Sequence, residues 1–286
     1  MNATIGQRSV RRRRAADLAV RATAWIGASI GIGAMLWILA EVARRGAKVW
    51  SWSFFTQMPA PVGEPGGGVL NAIYGTIVMT LIAAAAGIPL GFFAGIYLAE
   101  FGRNGRLAGV VRIIGNVMVG IPSILVGVFV FSVFVRPMGH FSGLAGALAL
   151  AIIMLPVMAR TSEDILNLVP NELRESALAM GAPRWRVTLG VVVRAARSGL
   201  ITGALLAVVR VSGETAPLLL TALNNQFWSW DVTQPTANLT VGIYSYAMSP
   251  YPDWVDKAWG ASLLIIVGVL GATLLARLIL QRGKEW

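Results

Sequence analysis

The stretch GLITGALLAVVRVSGETAPLLLTA, residues 199–222, is apolar or small except at Arg210 and Glu214 and is long enough to cross a bilayer. An Arg at the centre of a membrane helix costs about 2.5–3.5 kcal/mol on insertion scales, so charges there face a bundle interior or a watery path and tend to mark function. Arg210 and Glu214 are four residues apart, which in an unbroken helix puts both side chains on one face. Two readings compete: an anion-handling site, or a self-neutralising ion pair that pins helix packing. The first is favoured, because buried pairs are weak evidence for stability and intramembrane charges are usually kept for a task.

Working outward, 56% of the 286 residues are hydrophobic and 13% charged, with a mean hydropathy of +0.68. That is too little polar surface for a soluble domain, and the chain reads as an all-α polytopic membrane protein. Six segments are long and apolar enough to span: about 22–42, 69–99, 113–135, 143–159, 198–222 and 258–280. The second exceeds what the hydrocarbon requires, which predicts tilt or an extension beyond it. The expected layout is a basic segment at 1–21, a six-helix transmembrane domain at 22–280 with its largest loop at 160–197, and a tail at 281–286.

Orientation follows the Lys and Arg residues, which cytoplasmic loops retain. With the N-terminus inside, six precede the first span, three lie between the second and third, six between the fourth and fifth, and three near the C-terminus. Against these stand only Arg44, Arg45, Lys48, Arg136 and Lys257 on the outer side. Both termini are therefore expected in the cytoplasm. The net charge of +11 is topogenic by this reading and excludes nucleic acid as a partner, while the run Arg11 to Arg14 anchors the inner face and touches anionic lipid headgroups. The first span reads as an uncleaved anchor. Cysteine is absent, which excludes disulfides and thiolate metal sites. A single histidine, His140 in a short external loop, makes no metal site.

The external loop after the first span holds Met58-Pro59-Ala60-Pro61 and Gly63-Glu64-Pro65-Gly66-Gly67-Gly68, a run of chain breakers. No Gly-x-x-x-x-Gly-Lys-Ser/Thr loop occurs, so the chain lacks that cradle for ATP phosphates. Gly87, Gly91 and Gly95, and again Gly199 and Gly203, recur every fourth residue and predict close helix contacts. Pro89, Pro122, Pro156 and Pro217 read as kinks within spans, with Pro217 the one expected to shape a pathway. Phe227, Trp228, Trp230, Tyr244, Tyr246, Tyr251 and Trp254 crowd the last external segment, as an interfacial aromatic belt or a surface for a soluble partner.

In the loop 160–197, Asn171 is placed to cap a helix reaching Met180, with acidic residues in its first turn and Gly181 to end it. Pro183 suits the first turn of a second short helix over residues 184–189. Two short helices meeting at a glycine predict a compact knob at the inner face.

Glu175-Ser176-Ala177, followed after three residues by Gly181, resembles the coupling loop of ABC importer permeases, which docks into a groove on a separate ATPase subunit. Arg210-Val211-Ser212-Gly213-Glu214-Thr215-Ala216-Pro217 is similar to the signature of phosphate-specific permeases. Gly68-Val69-Leu70-Asn71, Ile121-Pro122-Ser123-Ile124, Met154-Leu155-Pro156-Val157, Asn224-Asn225-Gln226-Phe227-Trp228 and Ile243-Tyr244-Ser245-Tyr246-Ala247 add to the likeness. Together they resemble the PstA family, the A-type permease subunits of phosphate-specific ABC transport, over residues 68–275. One departure is visible: Val193-Arg194 stands where the importer motif has Leu-Pro, which puts the usual helix break there in question.

The resemblance implies a type I ABC importer permease fold with a cytoplasmic pair of coupling helices. It implies a second, PstC-like permease subunit, a PstB-like ATPase dimer that uses ATP and Mg, and an external PstS-like phosphate-binding protein. This chain itself would bind no cofactor and would not be an enzyme. Arg210 would offer a planar fork to phosphate, Glu214 would offset its charge while the path is empty, and Thr215 and Ser212 would add hydroxyl donors. Glu175, Ser176, Ala177 and Gly181 would carry the coupling. The alternatives are a permease for another tetrahedral oxyanion, a stand-alone ion-coupled secondary anion transporter, and a membrane enzyme acting on phosphorylated lipid. No clear internal repeat supports the second, and no cluster of His, Asp and Glu the third.

Overall fold

The computed structural model describes residues 3–61, 63–64, 66–102 and 105–282, with side chains described from residue 13 to 274 within those bounds and at Leu278. Residues 283–286 of the expected tail, Pro65, Arg103 and the side chains of Arg8, Arg11, Arg12, Arg277 and Arg282 lie outside this description.

Thirteen helices are described, in chain order α1 Ala3–Val49, α2 Trp52–Thr56, α3 Leu70–Ile96, α4 Arg106–Gly120, α5 Ser123–Val130, α6 Arg136–Met138, α7 Gly143–Asn167, α8 Asn171–Ala179, α9 Arg184–Arg186, α10 Val193–Ser212, α11 Ala216–Thr221, α12 Leu239–Ala247 and α13 Pro252–Arg282. Widened π turns extend α3 at Tyr97–Phe101, join α5 to α6 at Phe131–Val135 and join α9 to α10 at Val187–Val192. Five stretches are long and apolar enough to cross a membrane: Arg13–Val49, Leu70–Phe101, Gly143–Asn167, Arg184–Ser212 and Pro252–Leu274. A sixth is made if Arg106–Gly120 and Ser123–Met138 count as one broken span.

That sixth corrects the expected third span. Residues 113–135 are not one helix but two, bent by 102°, because Pro122 disfavours helical geometry at Ile121, whose ψ of 133° is extended. The expected fifth span, 198–222, is corrected too: its helix begins at Arg184 and stops at Ser212. The fourth span runs on to Asn167 and the sixth begins at Pro252, so part of the predicted loops is helical.

The core is organised around α7. Met79 and Ala83 of α3, Leu150, Ala151 and Met154 of α7, Ala207 and Val211 of α10, and Leu218 of α11 form one buried cluster. The glycines of α3 make this approach possible, as expected from their spacing. A methyl group added at Gly91 would lie 2.7 Å from the Leu155 carbonyl and 2.7 Å from the Met158 Cβ, and one at Gly95 would lie 2.5 Å from the Ser162 Cβ. Lipid supplies no hydrophobic drive between helices, so this backbone-to-backbone fit carries the association. Gly199 and Gly203 of α10 instead make room for side chains of α7, those of Ile165 and Thr161. Gly91→Leu is expected to destabilise the protein by about 3 kcal/mol through overpacking. Thermal unfolding in detergent reads this, and an unshifted midpoint would show that α3 and α7 are not in close contact.

Among the described residues of α1 the last part packs within the chain: Gly46 lies against Leu263 and the Trp259 carbonyl, and just past the helix Trp50 Nε1 donates to the Gly260 carbonyl at 3.0 Å. The segment between α11 and α12 is held by asparagines. Asn71 Nδ2 donates to the Asn225 carbonyl at 2.6 Å, Asn225 Nδ2 to the Pro235 carbonyl at 3.0 Å, and Asn238 Nδ2 to the Leu223 carbonyl at 3.1 Å. For Asn71 and Asn225 these bonds give a structural reason for residues first noticed only by likeness. In the same segment Trp228, Trp230 and Tyr74 cluster with ring centroids about 5 Å apart, and Tyr246 packs on Trp254.

Candidate translocation site and coupling knob

Arg210 sits in the last turn of α10 and Glu214 lies beyond the helix end. The expectation that both share one helix face is therefore corrected. Gly213 follows the last helical residue, and Pro217, which has no N–H to continue the ladder, starts α11 instead. The break is fixed on both sides: Glu214 N–H donates to the Val211 carbonyl at 3.1 Å, and the buried Thr240 hydroxyl donates to the Glu214 carbonyl at 2.9 Å. Pro217 is buried against α5, where a Cβ at Gly127 would come within 2.7 Å of its Cα.

Among the described residues no ion pair or side-chain hydrogen bond joins Arg210 to Glu214 or to any other group. Arg210 is exposed on this chain and Glu214 half-buried. This counts against a self-neutralising pair. Ser212 Oγ donates to the Val209 carbonyl at 2.8 Å, so its proton is already engaged. Thr215 is half-buried at the start of α11.

The knob is found at α8, but the second short helix is not separate. From Arg184 the chain stays helical through the π turn into α10, so residues 184–189 begin the long span. Nothing interrupts it at Val193-Arg194, where the usual importer proline is missing. Asn171 is likewise corrected: it is the first residue of α8, preceded by Pro170, and its Oδ1 accepts from Arg174 Nη1 at 3.4 Å. Gly181 has a φ of +82°, the left-handed geometry that glycine adopts freely after a helix end. Glu175, Ser176 and Gly181 are exposed, and Ala177 is half-buried against a cluster containing Val169, Val187 and Val192. Met180 is 89% exposed, and Leu173, Leu178 and Trp185 on the same short stretch of chain are exposed as well.

Several polar contacts escaped the sequence reading. Arg174 of α8 pairs with Glu100 at 2.7 Å, with side-chain exposures of 10% and 9%. Arg112 pairs with Glu163 at 2.7 Å and donates to the Leu98 carbonyl, while Arg160 Nη1 donates to Asn116 Oδ1 at 3.1 Å. The last groups line an open cavity of about 310 Å³ between α4 and α7. The available signal was an acidic residue near the end of each of two apolar stretches, Glu100 and Glu163; the partners are far away in sequence.

Residues 87–283 match the family described as binding-protein-dependent transport system inner membrane component. The phosphate transport system permease protein PstA of Yersinia pestis is 47% identical over 255 residues, covering 89% of this chain and 86% of its own length. That of Haemophilus influenzae is 46% identical over 261 residues, covering 91% and 92%. The chain belongs to the PstA permease family. It is an inner-membrane, multi-pass permease component of a binding-protein-dependent ABC transport system and not the ATPase subunit. A solved structure of the inward-facing MetNI methionine ABC transporter superimposes with a TM-score of 0.64 at 21% identity, covering 75% of this chain and 95% of that one. At that identity the likeness shows the fold. A second structure, of an amino acid ABC transporter with histidines, gives 0.56 at 16%. A self-sufficient ion-coupled carrier does not fit a permease of this family, which works with ATPase and binding-protein partners.

Proposed function

We propose that this permease carries inorganic phosphate into the cytoplasm and that Arg210 meets the anion on its way. The observation that carries the reading is a guanidinium in the last turn of an apolar span, beside a fixed helix break and, among the described residues, with no protein anion paired to it. A planar fork bonds two oxygens of a phosphate at once. Glu214, across the break, moderates the positive field so that binding stays weak enough for release. Thr215 offers a hydroxyl; Ser212 does so only by giving up its bond to Val209. The relatives named as phosphate permeases support phosphate over other oxyanions.

Both termini and α8 lie in the cytoplasm by the charge bias. The chain works as a heterodimer with a second, PstC-like permease, over a PstB-like ATPase dimer that hydrolyses ATP with Mg, and beneath a PstS-like binding protein outside. Glu175, Ser176, Ala177 and Gly181 form the contact with the ATPase. The decisive measurement uses the purified complex in liposomes with its binding protein. Phosphate is expected to stimulate ATP hydrolysis and to appear inside, sulfate to do neither. Stimulation by sulfate or molybdate instead would assign another oxyanion, and phosphate uptake without ATP would overturn the importer reading.

A further inference from the structure

The only buried residue of α8 is its arginine. Helices dock on bundles through apolar faces, yet here Leu173 and Leu178 are exposed, and only Ala177 adds a partly buried apolar contact. Arg174 instead reaches inward as a fork. Its Nε and Nη2 donate to Glu100 Oε1 at 3.0 and 2.7 Å, with Nε also 3.3 Å from Oε2. Further N–H groups donate to backbone at and just past the end of α7, Nη2 to the Leu166 carbonyl at 2.8 Å and Nη1 to the Val169 carbonyl at 2.5 Å, while Nη1 also reaches Asn171 Oδ1 at 3.4 Å within α8. The Leu166 carbonyl lies in the last turn of α7 and the Val169 carbonyl two residues past its end, where the helix dipole favours a cation. One guanidinium therefore ties α8 to both α3 and α7.

The surroundings allow α8 to move while this tie holds. Glu100 lies in the π turn that ends α3, and α8 packs against the third π turn, Val187–Val192, within the span that follows α8. Such turns are places where helical hydrogen bonding changes register and are frequent at functional sites. An open cavity of about 330 Å³, lined by Glu100, Arg174, Leu178, Arg184 and Thr188, lies beside the pair and leaves room for a swing. Energetically, a buried ion pair is a poor device for stability alone, because removing two charges from water offsets most of their attraction. A pair that fixes geometry between elements that must move together is a better account of its presence.

We infer that Arg174 and Glu100 are positioning residues that deliver displacement of α8 to α3 and α7, converting ATPase motion into transport. This rests on the reading of α8 as the ATPase contact. The test uses the complete complex in liposomes with its binding protein, comparing Glu100→Gln and Arg174→Lys with the unaltered chain. The first keeps shape and loses charge; the second keeps charge and loses the fork. Each is expected to co-purify with the ATPase and hydrolyse ATP within about twofold of the original, while phosphate imported per ATP falls about fivefold or more. Glu100→Asp, which keeps the charge, is expected to fall between.

An unchanged ratio of phosphate to ATP in either assembled variant overturns the inference, as does a proportional fall of both activities. Loss of the ATPase from both variants also overturns it, because the pair would then serve folding or docking alone. Glu175→Arg, read by co-purification, separates the two claims: if it leaves the complex intact and active, the contact assignment fails. If it disrupts the complex while the Glu100 and Arg174 variants transport normally, only the inference falls.

Discussion

Arg210→Ala is expected to lower phosphate uptake on the order of a hundredfold or more while the complex still assembles. Two charge-assisted hydrogen bonds to one anion, at about 1.5–3 kcal/mol each, set that scale. Arg210→Lys is expected to abolish uptake as well, because a point charge on a flexible stem does not reproduce the bidentate fork. Stability gives no reason for either loss, since among the described residues the side chain holds no partner whose bond would be broken. Initial rates of labelled phosphate uptake and co-purification of the subunits decide the matter. Normal uptake with either replacement would remove Arg210 from the pathway.

The second large effect is expected at the knob. Gly181→Trp and Glu175→Arg should each reduce uptake on the order of a hundredfold, the scale of losing a central interface residue. At Gly181 nothing lies within 4 Å of an added Cβ, so a large side chain projects from the knob's surface toward whatever covers it. The left-handed backbone adds a strain of about 1–2 kcal/mol for most residues. Gly181→Asn controls for this, since asparagine tolerates that backbone and is small; it should retain most activity. If Trp and Asn behave alike, backbone conformation and not docking is what matters at this position.

How far the chain could be read in advance depended on whether the deciding contacts were local. The path of α3 and α7 was written in apolar length and in glycines every fourth residue, each a property of neighbouring turns. Gly181 was equally legible, because a helix end is a local event. The break after Ser212 was visible in Gly213 and Pro217, yet apolar length across residues 198–222 outweighed them in the reading. The second coupling helix runs past Leu189 because no residue between Leu189 and Val193 stops a helix, so a separate short element at 184–189 has no boundary in the sequence. Pro122 was read as a kink, but the residue before it adopts extended geometry and the span turns sharply there. Arg174 and Glu100 are 74 positions apart, and only the packing of α8 beneath α3 and α7 brings them together.

Fusing α3 to α7 along the glycine edge makes the two a stiff lever. Over the 27 residues of α3, roughly 40 Å of rod, a tilt of roughly 5° about the inner end carries the outer tip by roughly 3.5 Å. A tilt driven from below would in this way shift the outer end, with no helix needing to unwind along the way.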